Sequence, residues 1–239
     1  FMQLVILASG RGSRLQNKTK KIPKCLVQVN GKPIIDYNIR FFNKFKKKII
    51  VTGYKAQLIK EKFKKKNFKF VKNKYFSTTN MVYSLFCASK FIKSSIIVCY
   101  SDIIFDENIY KKLSKNITSI VVNKKWYKYW KKRMKKKDIL NDAENLIIKK
   151  GYVVSIGGKI KKNLPKNQFM GIVKIKYKDF EPLRFFFKSL KNKKIDFTNF
   201  LNLAIRNKII KLRALETKIF WLEIEKIKDL KVAEKLMIK

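Results

Sequence analysis

The chain contains no histidine. That excludes Ser-His-Asp triads, imidazole acid–base chemistry and His-rich metal sites, so any catalysis must run on carboxylates, Lys, Arg and a bound metal. Cysteine is nearly absent too. Cys25, Cys87 and Cys99 lie among apolar neighbours at spacings that suit neither zinc nor a disulfide framework, which points to a reducing, cytoplasmic setting. No stretch reaches membrane-spanning length. The apolar run after Met2, the expected native start, is too short and too soon polar for a signal peptide. Hexapeptide repeats are missing, which excludes an appended β-helix.

Acidic residues are scarce: 16 Asp+Glu stand against 59 Lys+Arg, a formal charge of +43 that would draw in any polyanion. A basic nucleic-acid-binding protein is therefore one reading. The excess is almost entirely Lys, however, spread along the chain among Ile, Asn, Phe and Tyr, which is the mix an AT-rich genome produces. No nucleic-acid motif accompanies it. With 239 residues, 46% of them hydrophobic, the chain can bury one substantial core, and a single domain over 1–239 is expected.

The stretch around which the chain is organised is LVILASGRGSRLQNKTKKIPKC, Leu4 to Cys25. Leu4 to Leu7 is a continuous apolar run of the kind that forms a buried parallel strand, and it breaks into Ala8-Ser9-Gly10-Arg11-Gly12-Ser13-Arg14. Small residues let the backbone close on a ligand and turn N–H groups toward it, a geometry suited to phosphate oxygens. Arg14 adds a permanently charged fork, and Lys24 follows on a tether long enough to fold back over the same pocket. The string lacks the Gly-Lys-Ser/Thr of a Walker A loop. Leu15 also breaks Gly-x-Gly-x-x-Gly, which makes a dinucleotide fold the poorer reading.

Downstream, strand and helix patterns alternate. Ile49 to Val51 reads as a strand ending at Thr52-Gly53-Tyr54, Leu58 to Phe63 as its crossover helix, and Phe68 to Val71 as a third strand. The alternation predicts an α/β fold: one doubly wound, Rossmann-like mixed sheet with helices on both faces, and a ligand at the strands' carboxyl edge, where Gly53 and Tyr54 fall. Ser77 to Asn80 offers caps for a helix beginning at Met81. Ser95 to Tyr100 is the clearest central strand and delivers Asp102 to its tip. A hard Mg²⁺ ion on a triphosphate takes one or two such carboxylates, so Asp102 is the candidate metal ligand, while Asp106 is better placed to cap the next helix. After the strand Thr118 to Asn123 the periodicity fails. Residues 124–150 carry Trp126, Tyr127, Tyr129, Trp130 and Arg133 in a Lys-rich run, then Asp142 and Glu144. That composition fits nucleic-acid stacking, an acceptor-side lid over a small cationic or amphoteric substrate, or an insertion packed on the domain's flank.

Leu-Ala-Ser-Gly-x-Gly-x-Arg-Leu followed by Pro23-Lys24 resembles the signature loop of the sugar-phosphate nucleotidyltransferase superfamily, and the match runs nearly the length of the chain. It is similar in particular to the phosphocholine cytidylyltransferase branch. Asn80-Met81 with Thr79 matches the segment beside base and ribose, Gln168-Phe169-Met170-Gly171 the acceptor wall, and Trp221-Leu222-Glu223-Ile224-Glu225 an aromatic-Glu-Ile-Asp motif whose last residue holds metal. The resemblance implies a Mg²⁺-dependent enzyme that moves CMP from CTP to a small phosphorylated or phosphonate acceptor such as phosphocholine, phosphoglutamine or 2-aminoethylphosphonate. A sugar-1-phosphate acceptor is the alternative, and a homodimer stays open. Metal-dependent glycosyltransferases would carry Asp-x-Asp where this chain has Ser-Asp-Ile.

On this reading Leu7 to Arg14 (Leu7, Ala8, Ser9, Gly10, Arg11, Gly12, Ser13 and Arg14), Gly53, Tyr54, Thr79, Asn80 and Met81 surround the nucleotide. Arg14, Lys24 and Asp102 are catalytic, and Asp102 and Glu225 hold the metal. Lys24, Trp126, Tyr129, Trp130, Arg133, Asp142, Glu144 and Phe169 face the acceptor. Aromatic faces and carboxylates would receive an ammonium group, and Arg133 a carboxylate if the acceptor has one.

Overall fold

A computed structural model describes residues 1–160 and 163–237. The chain opens with β1 (Gln3–Ala8), passes through 3-10 turns at Ser13–Thr19 and Lys24–Leu26, and forms a short hairpin of β2 (Gln28–Val29) and β3 (Lys32–Pro33) about Asn30-Gly31. There follow α1 (Ile39–Phe42), β4 (Lys47–Thr52), α2 (Ala56–Lys62), β5 (Lys69–Lys72), α3 (Met81–Cys87), β6 (Ile96–Tyr100), β7 (Ile103–Phe105), α4 (Ile109–Leu113) and β8 (Ser119–Asn123). The second half comprises α5 (Trp126–Arg133), α6 (Lys136–Asp142), β9 (Glu144–Lys149), β10 (Tyr152–Lys159), β11 (Gln168–Ile175), α7 (Tyr177–Ser189), α8 (Phe197–Arg206), β12 (Arg213–Thr217), β13 (Trp221–Glu223) and α9 (Ile227–Leu236).

Among the described residues nine strands form one mixed sheet in the order β5-β4-β1-β6-β11-β8-β12-β10-β9, the α/β architecture expected from the alternating patterns. The first four are parallel, with β1 between β4 and β6, which explains why its sequence is apolar without alternation: both faces are covered. Val5 and Leu7 join a core with Val82 and Leu85 of α3, Phe180 and Phe187 of α7, and Phe200 of α8. Leu4 and Ile6 join the opposite one with Phe41 and Phe42 of α1, Ile59 of α2, and Trp126 and Trp130 of α5. Burying each such side chain contributes about 1.5–3 kcal/mol.

Registry brings three carboxyl ends level, because Ala8 pairs with Thr52 and Leu7 with Tyr100. β11 enters antiparallel between β6 and β8, so its amino end, Gln168 and Phe169, reaches the same edge. Residues 124–150 pack as regular structure: α5 and α6 lie on the sheet's flank, and β9 is its edge strand beside β10. The failed periodicity reflects short elements, with α5 turning after Arg133. Outside the main sheet, β13 pairs antiparallel with β7, Trp221 opposite Phe105 and Glu223 opposite Ile103. A third, smaller core of Leu15, Val27, Ile34, Ile104, Leu222, Ile224 and Leu230 fastens this pair to the loop after β1 and to α9.

Candidate active site

The loop after β1 closes over a cleft of about 240 Å³ lined by Leu7 to Gly10, Gly12 to Arg14, Lys24, Thr79 to Met81, Asp102 and Glu225, joined by Cys25, Phe76, Tyr100, Ser101 and Glu223. Gly12 is in the left-handed region at φ 72°, and a Cβ there would come within 2.6 Å of Lys24 Cβ. Glycine at this position is thus what lets the Lys24 side chain lie along the loop. Gly53 sits behind the cleft, where a Cβ would lie 2.6 Å from both Phe76 Cβ and the Ser9 carbonyl oxygen. Tyr54 and Arg11 do not line it. The Tyr54 backbone N–H donates to Ser9 O at 3.0 Å, its hydroxyl donates to Lys20 O at 2.8 Å, and the Arg11 guanidinium lies 5.5 Å over its ring. Both therefore brace the loop from outside.

Asn73, which no sequence motif marks, connects the loop to the segment carrying Phe76 and Thr79. It is fully buried, donates to Ser84 Oγ at 3.0 Å and Thr79 Oγ1 at 3.1 Å, and accepts from the Tyr75 N–H at 2.9 Å. Ser84 Oγ in turn meets Ser9 Oγ at 2.7 Å. Asn73→Ala is expected to leave the Tyr75 N–H without a partner, to remove one bond each from Ser84 and Thr79, and to lower stability by about 1–3 kcal/mol. A urea-unfolding midpoint within error of the parent would refute that role.

The charged groups meet at the mouth. Lys24 Nζ donates to Asp102 Oδ2 at 2.5 Å, and Arg14 Nη1 to Glu225 Oε2 at 2.7 Å. Burial alone would pull the Lys24 pKa down, but the Asp102 ion pair, with Glu225 and Glu223 behind it, reverses the sign and leaves it raised. Glu223 is pushed up from its ordinary value by burial and by the charges of Glu225 and Asp102, with Arg133 opposing. The Ile224 N–H donates to Asp102 O at 3.0 Å, which ties the strand-end aspartate to the chain between the two glutamates. Sequence analysis did not single out Glu223, although alternation along a strand sends residues 223 and 225 to one side.

A second hollow of about 270 Å³ opens off the first and shares Arg14, Met81, Tyr100, Glu223 and Glu225 with it. Of the acceptor-side candidates, Trp130, Arg133, Asp142, Glu144 and Phe169 line it, together with Gln168, Asp196, Phe197 and Thr198. Trp126 does not: it is 2% exposed and stacked edge-on to Trp130 in the flank core. Tyr129 packs on Phe220, away from the hollow. Lys24 belongs to the first cleft. Arg133 is 3% exposed and committed to Glu223 and Asp229, so it is not free to receive a carboxylate.

Glu144 and Asp196 converge on Thr198, whose Oγ1 lies 2.9 Å from Glu144 Oε1 and 3.1 Å from Asp196 Oδ1. Asp196 also caps α8, accepting the Asn199 N–H at 2.8 Å. Among the described residues neither carboxylate has a Lys or Arg partner, in a chain with 59 such cations. Burial pushes the Glu144 carboxyl up to about 7 against the Thr198 hydrogen bond, helped by Asp196 and Glu225. Six of the chain's 16 acidic residues thus line two joined hollows. A polyanion-binding surface would be built the other way round.

Residues 4–150 match the MobA-like NTP transferase domain. Over 97% of its length the chain is 33% identical to the CTP:phosphoglutamine cytidylyltransferase of Campylobacter jejuni, covering 98% of that protein. It is 30% identical to the choline-phosphate cytidylyltransferase of Streptococcus pneumoniae, over 60% of this chain and 65% of that one. The structure of the CTP:phosphocholine cytidylyltransferase from Streptococcus pneumoniae superposes with a TM-score of 0.78 at 21% identity, covering 99% of both chains.

Proposed function

Because the chain belongs to the family of the MobA-like NTP transferase domain, we propose that it transfers CMP from CTP to a small phosphorylated acceptor, releasing pyrophosphate. The observation that carries this reading is a glycine-rich loop whose two cations, Arg14 and Lys24, face Asp102 and Glu225 across a cleft that opens into an acidic, aromatic-walled hollow. The preference for CTP rests on the two cytidylyltransferase relatives.

An acceptor phosphate or phosphonate oxygen attacks the α-phosphorus, a new P–O bond forms, and the α–β bridging bond breaks with its electron pair leaving on pyrophosphate. No proton has to move, because the attacking oxygen is already anionic near neutral pH. Catalysis is positioning plus charge neutralisation. The backbone of Ser9 to Ser13 would cradle phosphate oxygens, Arg14 would hold the outer phosphates, and Lys24 would sit between the acceptor and the α-phosphate. Three carboxylates and two cations meet at the cleft, so an incoming triphosphate needs further positive charge. Their hard oxygens suit Mg²⁺, which takes one or two carboxylates alongside substrate phosphates; among the described residues no group of three acidic side chains is tight enough to hold an ion by itself. Asp102 and Glu225 would hold the ion, and when bound it would supply charge neutralisation on the phosphates.

The acidic hollow supports an acceptor with an ammonium group at the end away from its phosphate, with Glu144 and Asp196 as counter-charges and Phe169, Phe197 and Trp130 beside them. A pyrophosphate-release screen of the four nucleoside triphosphates against phosphorylated amines, amino acids and sugars tests the whole reading. CTP with an amine-bearing acceptor should turn over, whereas turnover with sugar-1-phosphates alone would overturn it.

The Glu144 carboxyl adds a pH dependence. Ionised Glu144 attracts the ammonium, so the acceptor KM is expected to fall several-fold as pH rises through about 7, and to lose that component in Glu144→Gln. Stability moves the opposite way. The folded state favours the neutral acid, so without acceptor it loses stability between the ordinary value of 4.5 and about 7, on the order of 3 kcal/mol at most. Glu144→Gln should therefore raise the melting temperature at pH 8 and not at pH 4.

A further inference from the structure

Arg133 is the last residue of α5, and its charge is buried from solvent among groups of the protein. Its Nη2 donates to Glu223 Oε2 at 3.3 Å. Its Nη1 lies 3.1 Å from Asp229 Oδ2, close enough for an ion pair though not aligned as a hydrogen bond. The guanidinium carbon stands 4.7 Å over the Trp130 ring, which partly offsets the cost of burying donors without acceptors. Nε and Nη1 are sealed from solvent and cannot reach a ligand in the hollow without a rearrangement.

Asp229 is itself 3% exposed, and its Oδ2 also accepts the backbone N–H groups of Glu225 and Lys226, each at 2.8 Å. One carboxylate oxygen therefore grips the turn between β13 and α9 at the residue whose side chain faces the cleft. On the other side of that turn, Arg133 holds the Glu223 carboxylate directly. The chain between them is tied to Asp102 through the Ile224 N–H. A single guanidinium on the flank helix thus reaches all of the acidic wall that β13 and α9 contribute. Lysine could not do this, because a point charge lacks the planar fork that spans two carboxylates.

We propose that Arg133, directly at Glu223 and through Asp229 at Glu225, is a positioning residue that sets these two carboxylates for the metal–triphosphate, and that it makes no contact with the acceptor. This rests on the nucleotidyl-transfer reading above, in which Asp102 and Glu225 hold the ion. Mn²⁺ serves as the probe, its binding followed by electron paramagnetic resonance in the presence of CTP and without acceptor.

The parent protein should bind Mn²⁺ with CTP. Arg133→Lys should bind it at least tenfold more weakly, with CTP affinity in EDTA no lower than the parent's and acceptor KM at saturating metal within twofold of the parent. A purely structural role would lower the melting temperature yet leave Mn²⁺ affinity intact at low temperature, and that result would overturn the proposal. A rise in acceptor KM with unchanged Mn²⁺ binding would overturn it as well, returning Arg133 to the acceptor. Should Arg133→Lys fail to fold, Asp229→Asn decides by the same criteria, since the amide oxygen can still accept the backbone N–H groups while the ion pair is lost. If the parent binds no Mn²⁺ with CTP, the metal reading itself fails and this inference with it, which is distinguishable from variants that bind like the parent.

Discussion

Lys24→Ala is expected to lower kcat by about three orders of magnitude while CTP affinity changes far less, a loss of roughly 3–5 kcal/mol of the kind produced when a group acting on transition-state charge is removed. Two effects combine. The ammonium that would neutralise charge on the reacting phosphates disappears, and Asp102, whose side chain is 19% exposed, loses its partner at 2.5 Å. Gly12 makes the position strict, because the Lys24 stem lies against a glycine that leaves no space for a side chain. Single-turnover rates with isothermal titration of CTP check this. Normal turnover combined with only a raised CTP requirement would sink the assignment.

The next largest effect is expected at Asp102 and Glu225. Asp102→Asn should cut kcat/KM by about two to three orders of magnitude and raise the metal requirement, and Asp102→Asn with Glu225→Gln should cost little beyond the worse single change, since both would serve one ion. Full additivity would show that they do separate jobs. The ion pairs add a distinguishing sign. In the free protein each cation proposed for phosphate is held by a carboxylate proposed for metal: Lys24 by Asp102, and Arg14 by Glu225. Glu225→Gln releases Arg14, so CTP measured in EDTA should bind about two- to fivefold more tightly than to the parent, even though metal-dependent turnover collapses. The gain is small because the Arg14 side chain is 60% exposed, and exposed pairs are worth about 0.2–1 kcal/mol. A variant that binds metal-free CTP more weakly than the parent would show that Glu225 is not competing for Arg14.

Much of this protein could be read from contiguous residues. The apolar run Leu4–Leu7 breaking into Gly10 and Gly12, the Asn30-Gly31 turn and Asp102 at the end of the central strand are each determined by local turn chemistry and by a strand buried on both faces. Those signals act over a few residues, so the cleft under the loop after β1 was legible. The adjoining acidic hollow was decided elsewhere. The sequence offered Arg133 as a partner for an acceptor carboxylate, and only the packing of α5 against β13 and α9 turns it onto the protein's own Glu223 and Asp229. Asp196, which no sequence motif marks, caps α8 beside Thr198, and β9 brings Glu144 to that threonine across 54 positions of sequence. Asp102 and Glu225 lie on opposite sides of the whole second half of the chain, and β13 joins them by pairing with β7 outside the main sheet. Outside the stretch after Asn123 that became α5, α6 and β9, sequence by itself determined where most strands, turns and helices fall, because hydrophobic period and backbone preference are local. Tertiary structure alone decided which carboxylates share a cleft and which cations are spent holding them, because charge pairing depends on distance in space, and folding sets that distance through contacts far apart along the chain.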